Sequence, residues 1–134
     1  MSTVPAYSVT TTTPLAFPQA VERTRAALAQ EGFGVLTEID VQATMKAKLD
    51  VDRDPYLILG ACNPTFAHRA LEAEPELGVL LPCNVVVWVQ SGTTIVSAVA
   101  AREMLGMVGN PALEPIADEV GQRLSRVIAA VAEG

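Results

Sequence analysis

The chain holds two cysteines and one histidine in 134 residues, and aromatic residues make up only 4% of it. Two cysteines in a chain of this length exclude a disulfide framework. So few aromatic side chains argue against a base-stacking platform for single-stranded nucleic acid. Charge is scarce too. Only 18% of residues are charged, against about 25% in ordinary soluble domains. The balance is acidic, with a net charge of −6 at pH 7. No Lys/Arg cluster offsets it, and Lys46 and Lys48 come nearest to one. A surface of that sign repels phosphate backbones, so no nucleic-acid partner is expected.

Long hydrophobic runs are also missing. Val79 to Val89 is the longest, and Pro82 and Asn84 interrupt it. It is too short to span a bilayer, so no membrane partner is expected. Met1 to Pro14 shows no basic segment leading into an apolar one. No secretory leader is expected, and the chain reads as cytoplasmic with reduced thiols. There is no glycine-rich phosphate loop, no Gly-x-Ser-x-Gly elbow and no triad order. Asp50, Asp52 and Asp54 alternate in a loop, but the glycine and final glutamate of a calcium loop are absent. That motif is discarded, and no set of metal-ligand residues is assigned.

Against these absences stand a high apolar content and a clear element pattern. Half of the residues are hydrophobic. A chain this long reads as one domain over 1–134 and buries roughly two-thirds of the surface its unfolded form exposes. The apolar excess points to a face covered by a second copy, hence a homodimer.

Tyr7 to Thr13 reads as a strand stopped by Pro14. Phe17, Val21, Thr24 and Leu28 are spaced as one helix face, with Pro18 in the first turn and Gly32 as the stop. Phe33 to Ile39 alternates as a strand. Asp40 then caps a short helix carrying Val41, Met45 and Leu49 on one side. Tyr56 to Ala61 is a third strand, and Asn63-Pro64 opens a helix to about Ala73. Val79 to Val89 is so continuously apolar that it predicts a central strand buried on both faces. Ser91-Gly92 turns into a hairpin partner, Thr93 to Ala100. Met104 to Asn110 reads as a connection. The final helix runs from about Pro111 to Ala132, with Leu113, Ile116, Val120, Leu124, Val127 and Val131 on one face. The order β-α-β-α-β-α-β-β-α implies an α+β fold: a mixed sheet of about five strands with helices packed on it.

Chemistry concentrates at two Cys-Asn pairs, Ala61-Cys62-Asn63-Pro64 and Leu81-Pro82-Cys83-Asn84. Cys62 falls at a strand end just before a helix cap, where a thiolate is favoured. Its bland reading is a small buried hydrophobe. Cys83 and Asn84 follow a proline inside an apolar strand, which predicts a bulge or break. Asn84 must then find polar partners or line a pocket. The cysteine spacing equals one helical crossover. A right-handed βαβ unit would set their strands side by side and let the thiols share a pocket. His68, one turn into the helix after Asn63-Pro64, is a candidate general base or single haem ligand, or an ordinary exposed side chain. Met45, Met104 and Met107 read as core filler.

Three blocks now stand in order. They are Glu31-Gly32-Phe33-Gly34-Val35 with Leu36 to Val41, then Tyr56 to Pro64 with Ala70-Leu71, then Gly78 to Val85. Together they resemble the "domain of unknown function 302" family from about Ala16 to Met107. The resemblance implies a compact, dimeric α+β domain of bacteria and archaea with no agreed common activity. Cys62, Asn63, Pro64, Pro82, Cys83 and Asn84 match the family pattern position by position, whereas His68 lies where that pattern is looser.

Three functional readings follow. The first is a ligand-binding domain whose pocket holds a small molecule, metal or haem near Cys62, Asn63, Cys83, Asn84 and His68. The second is a structural homodimer without catalysis. The third is a thiol redox protein using Cys62 and Cys83, which leaves open whether the protein is an enzyme.

Overall fold

The computed structural model describes residues 6–134. The first five residues of the stretch read above for a leader, and of the 1–134 domain, lie outside them. Strand β1 (Ser8–Thr13) leads into helix α1 (Phe17–Gln30), β2 (Gly34–Asp40), α2 (Val41–Leu49) and β3 (Tyr56–Cys62). Helix α3 (Pro64–Ala73) and a 3₁₀ segment (Pro75–Leu80) precede the hairpin β4 (Cys83–Gln90) and β5 (Thr93–Val99). Helix α4 (Ala101–Gly106), a 3₁₀ turn (Pro111–Leu113) and α5 (Glu114–Glu133) complete the chain. The fold is α+β with five strands, as the sequence implies. Helix α4 is an addition: Met104 lies in it rather than in a loop.

The five strands form one sheet in the order β1-β5-β4-β3-β2. Every neighbouring pair is antiparallel, so the sheet is not mixed. The physical reason is the path of the chain after β3. Ala61 pairs with Cys83, so the excursion through α3 returns to the end of the sheet it left. A crossover of similar length would have emerged at the opposite end of the strands. The link between β3 and β4 is a long hairpin connection with a helix in it.

Cross-strand partners share a face, so the register sorts the sheet into two sides. Leu59, Val85 and Ala98 form one row across β3, β4 and β5, all buried. Their face is covered by helices. Thr24, Ala27 and Leu28 of α1 are buried against it, as are Val120, Leu124, Val127 and Val131 of α5. The apolar stripe of the last helix is thus spent on the monomer's own core. Thr24 is buried without penalty because its hydroxyl donates to the Ala20 carbonyl at 2.7 Å.

The other side carries the row Ile39, Ile58, Val86 and Ser97, and beside it Tyr56, Trp88 and Ile95. None of these side chains is buried. The expectation of a central strand buried on both faces is corrected here: β4 alternates, with Cys83, Val85 and Val87 in and Asn84 out. It also starts later than its hydrophobicity suggests. Val79 belongs to the 3₁₀ segment and is 81% exposed. Pro82 precedes the strand instead of interrupting it. The sheet irregularity falls on β2, between Val35 and Thr37. Asp40 caps α2 as expected, accepting from the Ala43 N–H at 2.9 Å. That helix buries no side chain, and Leu49 is 66% exposed.

Candidate functional site

Cys62 closes β3, and the next residue, Asn63, caps α3, with its Oδ1 accepting from the Phe66 N–H at 3.4 Å. Pro64 occupies the first turn of the helix, where a missing N–H costs nothing. Because β4 starts at the end of the sheet where β3 stops, Cys83 arrives beside Ala61. Both cysteines therefore come to one end of the sheet. There α3, the 3₁₀ segment and α5 border a cavity of about 290 Å³ that opens to solvent. Cys62, Asn63 and Cys83 line it together with Phe33, Phe66 and Val120. Asn63 is the only lining residue with an amide or charged side chain.

Burial governs the thiols. It pushes the Cys62 thiol above its ordinary pKa. The Cys83 thiol is pushed up to about 11, chiefly by burial and secondly by the nearby charge of an ionised Cys62. Loss of water thus acts against the thiolate that a helix start favours. Both thiols stay protonated at neutral pH and act as weak donors.

Two sequence candidates lie elsewhere. Asn84 is exposed and points to the uncovered face of the sheet. His68 lies outside the cavity lining, with its side chain 76% exposed and 4.0 Å from the Glu72 carboxylate. No imidazole reaches the thiols. Among the described residues no group of three or more His, Cys, Asp or Glu side chains converges as a metal site would require. A broader depression of about 610 Å³ beside Asp52, Arg53 and Trp88 contains no thiol.

Beside the lining residues Phe66 and Asn63 stands a residue that the sequence pattern did not single out. Arg123 of α5 lies over the Phe66 ring, 5.2 Å from its centroid. It is held there by Glu119 Oε1 at 2.9 Å and by the Glu31 carbonyl at 2.8 Å. Its neighbour Arg126 takes the Glu31 carboxylate and holds that carboxyl below its ordinary pKa. Arg123 falls one turn after Val120, on the edge of the α5 apolar stripe. That position was visible in the sequence, but the placing of α5 over α3 was not.

The Gly32 turn completes this rim. At φ +83 it occupies the left-handed region that favours glycine. A Cβ there would lie 2.9 Å from Asn63 Nδ2 and 3.5 Å from Arg123 Nη1. The turn thus brings the α1–β2 junction, the α3 cap and α5 to one point.

The family profile "Domain of unknown function DUF302" matches residues 7–131. The chain belongs to this family. It is similar to the crystal structure of the uncharacterized conserved protein DUF302 from Bacillus stearothermophilus, at 32% identity and a TM-score of 0.88. That match covers 95% of this chain and 99% of the other. No curated protein matches the chain.

Proposed function

We propose that the cavity between α3, α5 and the thiol end of the sheet binds a small, mainly apolar organic molecule. One observation carries the reading: a space of about 290 Å³ whose lining includes a single amide and no charge. Ligand sites are commonly apolar hollows with a few placed polar groups. A dry apolar cavity of roughly 150 Å³ already accepts a benzene. Two protonated thiols with no third ligand favour an organic ligand over a metal. The displaced His68 removes the imidazole that a haem reading needs. Raised thiol pKa values favour a lining role for Cys62 and Cys83 over nucleophilic or redox chemistry. The reading takes the protein as cytoplasmic, with both thiols reduced. Among the described residues, no helix is long and apolar enough to cross a membrane.

Native mass spectrometry of freshly purified protein tests this. The expected result is a bound small molecule in the wild type and none in Ala70→Leu, whose larger side chain enters the cavity. Equal retention by both proteins counts against the cavity as the site.

A second reading concerns assembly, and its own observation favours it. Ile39, Ile58, Val86, Trp88 and Ile95 share a sheet face that buries none of them. We propose that a second copy of the chain covers this face and gives a homodimer. The final helix cannot serve that role with its apolar stripe, because the stripe is buried within the monomer.

A further inference from the structure

Resting on the cavity reading above, we infer that the ligand carries an anionic head group, held at the rim by Asn63 and Arg123. The fold leaves hydrogen-bonding groups unused there. The Asn63 acceptor is spent, since Oδ1 caps the Phe66 N–H. Its amide nitrogen has no acceptor among the described residues. No buried side-chain polar atom there lacks a partner, so that nitrogen is open to solvent.

Arg123 spends its Nε on Glu119 and one Nη1 hydrogen on the Glu31 carbonyl. A guanidinium has five N–H donors, so others remain. The two ties fix the plane of the group against Phe66, which itself lines the cavity. Asn63 Nδ2 and Arg123 Nη1 border the same point beside Gly32. Arg69 approaches the same ring, its Cζ 5.8 Å from the Phe66 centroid. It makes no ion pair among the described residues.

The unused groups that Asn63 and Arg123 hold at this point are therefore N–H donors. The acids nearby are engaged: Glu119 by Arg123 and Glu31 by Arg126. Arg69 is left as the unpaired cation nearest the Phe66 ring, in a chain that is acidic overall. The complement of an apolar cavity edged by donors and one free cation is an apolar body ending in a carboxylate or similar anion.

The test compares two probes of one chain length, octanoate and 1-octanol, titrated into the full-length protein at pH 7.5 by calorimetry. The expected result is octanoate binding about tenfold tighter or more. Arg123→Gln should shrink that ratio toward one, and Arg69→Gln should shrink it less. The ratio is the readout, so general damage to the fold does not imitate the effect. If Arg123→Gln fails to fold, the wild-type ratio and Arg69→Gln still decide. Equal affinities in the wild type overturn the head-group inference and leave the cavity reading standing. Binding of neither probe overturns both.

Discussion

Gly60 and Thr37 face each other across β3 and β2, and only the absence of a side chain on Gly60 lets them do so. A Cβ at Gly60 would lie 2.1 Å from Thr37 Oγ1 and 2.8 Å from Pro82 Cγ. Two elements that flank the cavity, the irregular start of β2 and the approach to β4, are therefore packed onto one glycine. Gly60→Ala should destabilise the fold by about 1–3 kcal/mol, the usual cost of overpacking. Adding Thr37→Ala should recover part of that loss, because it removes the nearer contact. Urea denaturation of both single mutants and the double mutant measures the coupling.

A pH window follows from Cys83. Its pKa is raised from an ordinary 9.0 to about 11 by burial. Below the ordinary value, folded and unfolded chains both carry the proton, and the thiol has no effect on the pH slope. Between the two values the unfolded chain has released its proton while the folded chain retains it. Stability therefore falls with rising pH across that window, by an amount on the order of 2–3 kcal/mol. Cys83→Ala should flatten the slope between pH 9 and 11. Denaturation midpoints taken through that range check the sign.

The same burial protects the thiols from alkylation. Native protein treated with iodoacetamide near pH 8 should react at Cys83 far more slowly than free cysteine, and at Cys62 more slowly as well. The unfolded chain should lose both protections. Peptide mass mapping over time reports each site separately. A fast Cys62 in the folded protein would restore the thiol-enzyme reading.

The uncovered sheet face predicts the state of assembly. Trp88→Glu and Ile58→Glu each place a charge on the proposed dimer surface. Each should convert a dimer into a folded monomer, with a loss of association energy of about 2 kcal/mol or more. Light scattering gives the mass, and circular dichroism confirms that the monomer remains folded. A wild type that is monomeric at high concentration would contradict the proposal.

Much of this fold was legible because its signals are local. Asp40 and Asn63 announce helix starts through their own side chains. The α5 stripe repeats often enough to predict its buried face. That Cys62, Asn63 and Cys83 come to one candidate site was legible for the same reason: each residue sits at an element boundary marked by proline. Strand direction was not. The residues between Cys62 and Cys83 suit either a crossover or a return, and long-range packing of α3 on α5 belongs to neither strand's sequence. Continuous hydrophobicity over Val79 to Val89 also misled, because it merges a 3₁₀ segment with a strand whose outer face remains uncovered. Asn84 faces away from the cavity by that alternation: one step along β4 from Cys83 reverses the side. Arg123 lies far along the chain from Phe66, and only the placing of α5 brings them together.

The central claim is that small apolar molecules enter the space beneath α3 rather than settle on the sheet's open face. Methyl-labelled protein titrated with 1-octanol, followed by two-dimensional NMR, separates the two. The account predicts saturable shifts at Leu77, Leu105, Ile116 and Val120, which line the cavity, with Ile58, Val86 and Ile95 unmoved. Shifts confined to Ile58, Val86 and Ile95, or none at any of these methyls, would contradict it.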